Sequence, residues 1–183
     1  MRSPIVSLTL PMLLAMSIVS CGTGPRTETG RRTLEQDATA TLAMFRQTEP
    51  VVGELVDDAA GYVVFPSIGK GGAGIGGAGG WGVVYENDEV VGYSRMSQFL
   101  VGGLLGGQSY SQLVILEHED NLTRFKRGQL AVAAQGSAVA GSAGVAAAAD
   151  YERGVIIFTA TRSGLMFEGA IGAQQFTFQP RPD

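Results

Sequence analysis

The chain has 183 residues, with 13 Lys and Arg against 17 Asp and Glu, for a formal net charge of −4. That balance argues against nucleic acid as a partner, which demands a basic face, and against a strong, purely electrostatic grip on anionic lipid. With a single cysteine, Cys21, no disulfide forms within the chain and no cysteine-based metal cluster is available.

The first twenty residues, "MRSPIVSLTLPMLLAMSIVS", read as an export signal rather than part of a fold. Arg2 supplies a positive n-region, and residues 5–19 form an apolar h-region too short and too abruptly ended for a transmembrane helix. "IVSC" then sets Ile18, Val19 and small Ser20 directly before Cys21, the pattern of a bacterial lipobox. The expectation is a diacylglycerated Cys21 that becomes the N-terminus on cleavage; the rival reading is a plain secretory signal with a chance cysteine. Each buried acyl methylene contributes roughly 0.8 kcal/mol, and two chains make a stable anchor. Gly22, rather than aspartate, after the cysteine points to the periplasmic face of the outer membrane. Residues 21–33, with "GTGPRTETGRR", read as a lipidated tether, and 34–183 as one domain long enough for a proper core.

"TLEQDATATLAMFRQ" (33–47) is predicted to be an amphipathic helix, with Leu34, Ala38, Leu42 and Phe45 near helical spacing and Thr33 as N-cap. Glu49-Pro50 interrupts it. "VVGELVDDA" makes a second short helix with Val51, Val52, Leu55, Val56 and Ala59 on one side. From Gly61 the pattern turns to roughly eight strand-like segments, including "GYVVFP", the hairpin "WGVVYENDEVVGYSRM" with "ENDEV" as its turn, and "QLVILEH". "EDNLTRFKRG" is a short helix capped by Gly128. The alanine-rich stretch 131–149 is expected to be strand or irregular in its first half, with its second half left open. The predicted class is α+β and β-rich: N-terminal amphipathic helices packed on a glycine-rich, mainly antiparallel sheet or barrel.

The glycine run "GKGGAGIGGAGGWG" (69–82) admits three readings. It contains a formal G-x-G-x-x-G at Gly74, Gly76 and Gly79, but a dinucleotide site needs a helix after the glycines, and "WGVVYE" is strand-like. A membrane-inserted glycine zipper lacks the bulk of a spanning helix. The favoured reading is a strand that glycine keeps thin, where backbone packs too closely for side chains.

The order of four segments, "GYVVFP", "GKGGAGIGGAGGWGVVY", "GGLLGGQSYSQLVIL" and "TRSGLMFEGAIGAQ", resembles the SYLF domain family across roughly residues 35–178. The resemblance implies a lipid-binding module, not an enzyme, with no cofactor. Eukaryotic members are described as binding phosphoinositides, some bundling actin; an exported bacterial chain has neither as an expected partner. The chain also departs from the family where "AQGSAVAGSAGVAAAADY" replaces a Gly-Pro-x-Gly-Arg-like turn. What carries over is lipid or membrane association, not the ligand.

For chemistry, His118 stands alone in "LEHED", so no histidine-rich metal site is available, and no EF-hand spacing is present. "GQSYS" lacks the second glycine of a nucleophile elbow, and Asp57 and Asp58 diverge on a helix. The candidate lipid- or anion-binding residues are therefore Arg124, Phe125, Lys126 and Arg127, a basic turn with one aromatic, and Lys70 beside the exposed N–H groups of the glycine run. Cationic capping of a helix C-terminus accounts for the basic turn equally well. The expected partners are membrane lipid, through acylated Cys21 and the domain, and envelope proteins. A scaffold working through protein partners or self-association stays open as the alternative, and a hydrolase has the least support.

Overall fold

The computed structural model describes residues 25–134, 145–148 and 154–182. Its elements are α1 (Glu28–Thr48), α2 (Val51–Asp57), β1 (Gly61–Glu86), β2 (Glu89–Leu116), α3 (Glu119–Lys126), β3 (Ala131–Ala134), β4 (Val145–Ala148) and β5 (Val155–Pro180). The expected signal segment, Cys21 and the 135–144 part of the alanine-rich stretch lie outside the described residues. The class is α+β and β-rich, with a five-stranded antiparallel sheet in the order β1-β2-β5-β3, and β4 also pairing with β5. Of the two forms expected, sheet or barrel, the open one is formed. Among the described residues no pairing joins β3 or β4 to β1, because both four-residue strands pair with β5.

The separate strand segments read from the sequence are fused into three long strands. "GYVVFP", the glycine run and "WGVVYE" are all β1, and "QLVIL" continues the strand that begins after the turn. β1 and β2 meet at Asn87 and Asp88, both with positive φ (51° and 61°), the signature of a type I′ turn whose twist suits a hairpin. Tyr62 Oη donates to Asp88 Oδ1 at 2.8 Å and its ring stacks on Tyr85, so the turn is braced against the other end of its own strand.

A straight 26-residue strand would run about 85 Å at 3.3 Å per residue, against a radius of gyration near 15 Å for a compact domain of about 150 residues. The strands therefore double over. A Cβ placed on Gly82 would fall 2.7 Å from the Phe65 ring and 2.8 Å from the Val64 carbonyl oxygen. One on Gly80 would fall 2.5 Å from Ser67 O, and one on Gly61 2.8 Å from Tyr85 O. The first and last thirds of β1 thus lie antiparallel, backbone to backbone. The glycine run is a strand kept thin at these positions. Between them the ladder is irregular: a register shift falls between Ala73 and Ile75, Gly74 has φ +72°, and Gly102 and Gly106 of β2 are also in the positive-φ region.

Doubling gives the ribbon an inside and an outside. Inside, Val63, Phe65 and Ile68 meet Val84, Met96, Val114, Ile157 and Phe176. The amides of Gln112 and Gln174 pair reciprocally there, at 2.8 and 3.3 Å, which satisfies two buried polar groups without a charge. Outside, alternate residues Tyr62, Val64, Val83, Tyr85, Leu113, Ile115, Ile156 and Phe158 are covered by Ala38 and Phe45 of α1 and Val52 and Val56 of α2. Helix α1 begins at Glu28, earlier than the expected 33, so part of the predicted tether is helix. Thr27, not Thr33, is the N-cap, its Oγ1 accepting from Gly30 N at 3.1 Å, and an exposed Glu28–Arg32 pair spans the first turn.

Gly82→Ala is expected to cost about 1–3 kcal/mol through overpacking. Gly69→Ala, with nothing within 4 Å of the added carbon, should stay within about 0.5 kcal/mol. Urea unfolding of both variants checks this; equal stabilities would contradict the doubled strand.

Candidate functional site

Helix α3 follows directly from its sequence. Glu119 and Asp120 occupy its first turn, and it ends in a Schellman motif: Gly128 N donates to Phe125 O and Gln129 N to Arg124 O, both at 2.9 Å, with Gly128 at φ +67°. Helical spacing then separates the four residues of the predicted basic turn. Phe125 and Leu122, three apart, are buried inside the ribbon, with the Phe125 ring 5.5 Å from that of Phe176. Arg124 and Arg127 face outward and are exposed. Lys126 Nζ lies 2.6 Å from Glu86 Oε2, tying the helix to the end of β1, so its charge is matched. Of the four, two cations face solvent, and the aromatic is core.

Lys70 is not brought near them. It sits half-buried in β1, in register with Gln108, whereas α3 begins beyond Leu116. Eight residues of β2 separate those levels, about 26 Å of strand. His118 stands at the N-terminus of α3, exposed, against Gly154. Among the described residues no group of three His, Cys, Asp or Glu is placed to hold a metal ion, and no helix is long and apolar enough to cross a membrane.

The feature that sequence reading missed is at the bend. Ile75 is 63% exposed, Phe99 66%, Val101 54% and Leu105 69%. They are neighbours by register: Ile75 pairs with Val101, Gly77 with Phe99, and Ala73 with Leu105. Along β2 the exposed positions run Arg95, Ser97, Phe99, Val101, passing from charge through hydroxyl to apolar in three steps, while Met96, Gln98 and Leu100 between them are buried. The descending arm repeats this in reverse, from Leu105 to half-buried Ser109. Residues 71–77 and 99–107 carry no charge, and the matching part of β5, 164–173, carries one, Glu168.

At the turn end, α1 is fastened by hydrogen bonds. Tyr93 Oη donates to Glu35 Oε1 at 2.6 Å, and Arg181 approaches the same carboxylate at 3.4 Å. Burial first, then the hydrogen bond and charge of Glu35, push the Tyr93 phenol up to about 12. Burial likewise raises Tyr85, and burial together with Asp88 raises Tyr62.

No family model matches the chain, and no curated protein matches it either.

Because these phenols are held neutral in the fold, their contribution is complete below their ordinary value of about 10 and is lost as pH rises through the folded value. The urea midpoint should stay level from about pH 8 to 10 and then fall toward 12. Tyr93→Phe should flatten part of that decline; an unchanged alkaline limb would remove Tyr93 from its cause.

Proposed function

We propose that the chain is a lipid-anchored envelope lipoprotein, held through acylated Cys21 at the periplasmic face of the outer membrane, whose SYLF-like domain binds lipid by apolar contact. The observation that carries this reading is the exposed cluster of Ile75, Phe99, Val101 and Leu105 on nearly charge-free strands. Four bulky apolar side chains grouped on otherwise small-residue strands are a surface to be covered, and single scattered ones are not. The cationic route has less to work with, since Lys126 is matched by Glu86 and Phe125 is core. The resemblance to SYLF modules supports the lipid reading through motif order.

Magnitudes suit a tethered domain. Burying one such side chain is worth roughly 1.5–3 kcal/mol, before the cost of association. Four give a modest grip that a nearby anchor makes effective by concentration. The chain from Cys21 to the start of α1 at Glu28 is seven residues on, a reach of at most about 25 Å. The domain thus stays beside the bilayer to which Cys21 is fixed.

The test is vesicle flotation of the chain from residue 21 with Cys21→Ser. It should float with neutral and anionic vesicles alike and with little dependence on salt. Phe99→Ser with Leu105→Ser should abolish flotation, and Arg124→Ala with Arg127→Ala should leave it intact. No flotation under any condition would overturn lipid binding by the domain and turn the search to envelope protein partners.

A further inference from the structure

We infer that the bent end of the ribbon enters the hydrocarbon of a single leaflet, with Ile75, Phe99, Val101 and Leu105 in the acyl region and the row Lys70, Ser97, Gln108 and Ser109 at headgroup level. This rests on the lipid-binding reading above and adds where and how deep the contact is. The occupant is the acyl region of the bilayer, and three observations select it.

The first is the gradient. On β2 the outward positions change from Arg95 to Ser97 to Phe99 and Val101, and on the descending arm from Leu105 through Gly107 to Ser109. Both arms of one bend therefore pass from polar to apolar in the same direction, toward the tip. The polar level is continuous across strands: Ser67 and Ser109 hydroxyls lie 3.3 Å apart, Gln108 Nε2 donates to Thr161 Oγ1 at 3.2 Å, and Lys70 pairs in register with Gln108. A polar rim around an apolar centre also belongs to protein interfaces; a polar level shared across three strands is what the flat boundary of a bilayer asks for.

The second is length. Lys70 to Gly74 on β1 is four residues, and on β2 the run from Ser97 to Ser109 turns at its midpoint, six residues from either end, so the tip stands at most about 20 Å beyond the polar level. Half of a hydrocarbon core is about 15 Å, and a spanning strand needs about 9–11 residues. The tip can enter from one side and is too short to cross both leaflets.

The third is backbone hydrogen bonding. A bend entering hydrocarbon must not bring bare N–H and C=O groups with it. Here β2 is the inner strand of the three: it pairs with β1 from Gly71–Gly107 to Ala73–Leu105 and again from Ile75–Val101 to Gly77–Phe99, with 102–104 passed over at the register shift, and with β5 from Val101–Ile171 to Gly107–Leu165. The strand that carries Phe99, Val101 and Leu105 is therefore the one whose backbone is best satisfied. The glycines around it add little bulk, so the tip displaces few acyl chains.

The test uses the chain's single cysteine. Cys21→Ser leaves a cysteine-free mature chain, into which Phe99→Cys, Leu105→Cys or Arg124→Cys is introduced and labelled with NBD. Vesicles of phosphatidylcholine and phosphatidylglycerol, with and without lipids doxyl-labelled on the acyl chain, are the probe. Labels at 99 and 105 should shift to the blue, brighten several-fold and be quenched by the acyl doxyl group, while the label at 124 should not change. Flotation of the same samples separates the two readings. Bound protein with 99 and 105 unaltered would overturn insertion of the bend and leave lipid binding standing. Absence of flotation would overturn both.

Discussion

Close backbone contact within β1 is the constraint on which the rest depends. Gly80 and Gly82 lie where a Cβ would strike the Ser67 and Val64 carbonyls, and only because they lack one can the strand fold against itself. Once it does, β2 and β5 follow by hydrogen bonding, and a ribbon with two apolar faces acquires an interior. Phe65 reaches Phe176, and Gln112 reaches Gln174, across sequence distances that no hairpin alone would close. The outer face is then left for α1 and α2 to cover, which they do with Ala38, Phe45, Val52 and Val56. Glycine is entropically costly in strands, and here the return is the whole layered architecture.

The same constraint separates the molecule into a closed body and an uncovered end. The body is fastened at the turn by neutral and charged contacts, Tyr62 with Asp88, Tyr93 and Arg181 with Glu35, and Lys126 with Glu86. The helices do not shield the other end, where Ile75, Phe99, Val101 and Leu105 stay in solvent. On the proposed reading, in which Cys21 is acylated, a chain kept at a membrane by its N-terminus has a use for such an end. The proposal for the site follows from this asymmetry, with Lys126 assigned to structure and Arg124 and Arg127 left in solvent.

Much of the body was legible from local chemistry. "ENDEV" between apolar strands marks a hairpin because Asn and Asp tolerate the positive φ that a type I′ turn requires, and Gly128 marks the end of α3 for the same reason. The glycine run was legible as strand, but its continuity was not: nothing local reveals that it joins "GYVVFP" and "WGVVYE" into one strand paired along its length with β2. The start of α1 was hidden by Gly30 and by a Thr-rich composition that suggests a tether. The exposed cluster was missed because "FLVGGLL" is apolar at both parities, the pattern of a strand buried on both faces. The separation of Phe125 from Arg124 and Arg127 could have been read from helical period alone.

The type I′ turn at Asn87 and Asp88 also sets an order of assembly. Pairs between β1 and β2 range in sequence separation from three residues at Glu86–Glu89 to 55 at Gly61–Leu116. Each pair closes only a slightly larger loop than the one before, so the hairpin can zip outward from its turn at small entropic increments. Strand β5 has no such turn to β2. Its nearest pair with β2 is Leu116–Val155 and its farthest Gly92–Pro180, so it must dock on a ribbon already formed. Until it arrives, one edge of β2 and the inner face of the ribbon lack their partner. The last strand therefore closes the largest loops of the sheet, and a sheet still waiting for it would be open to any other strand it met.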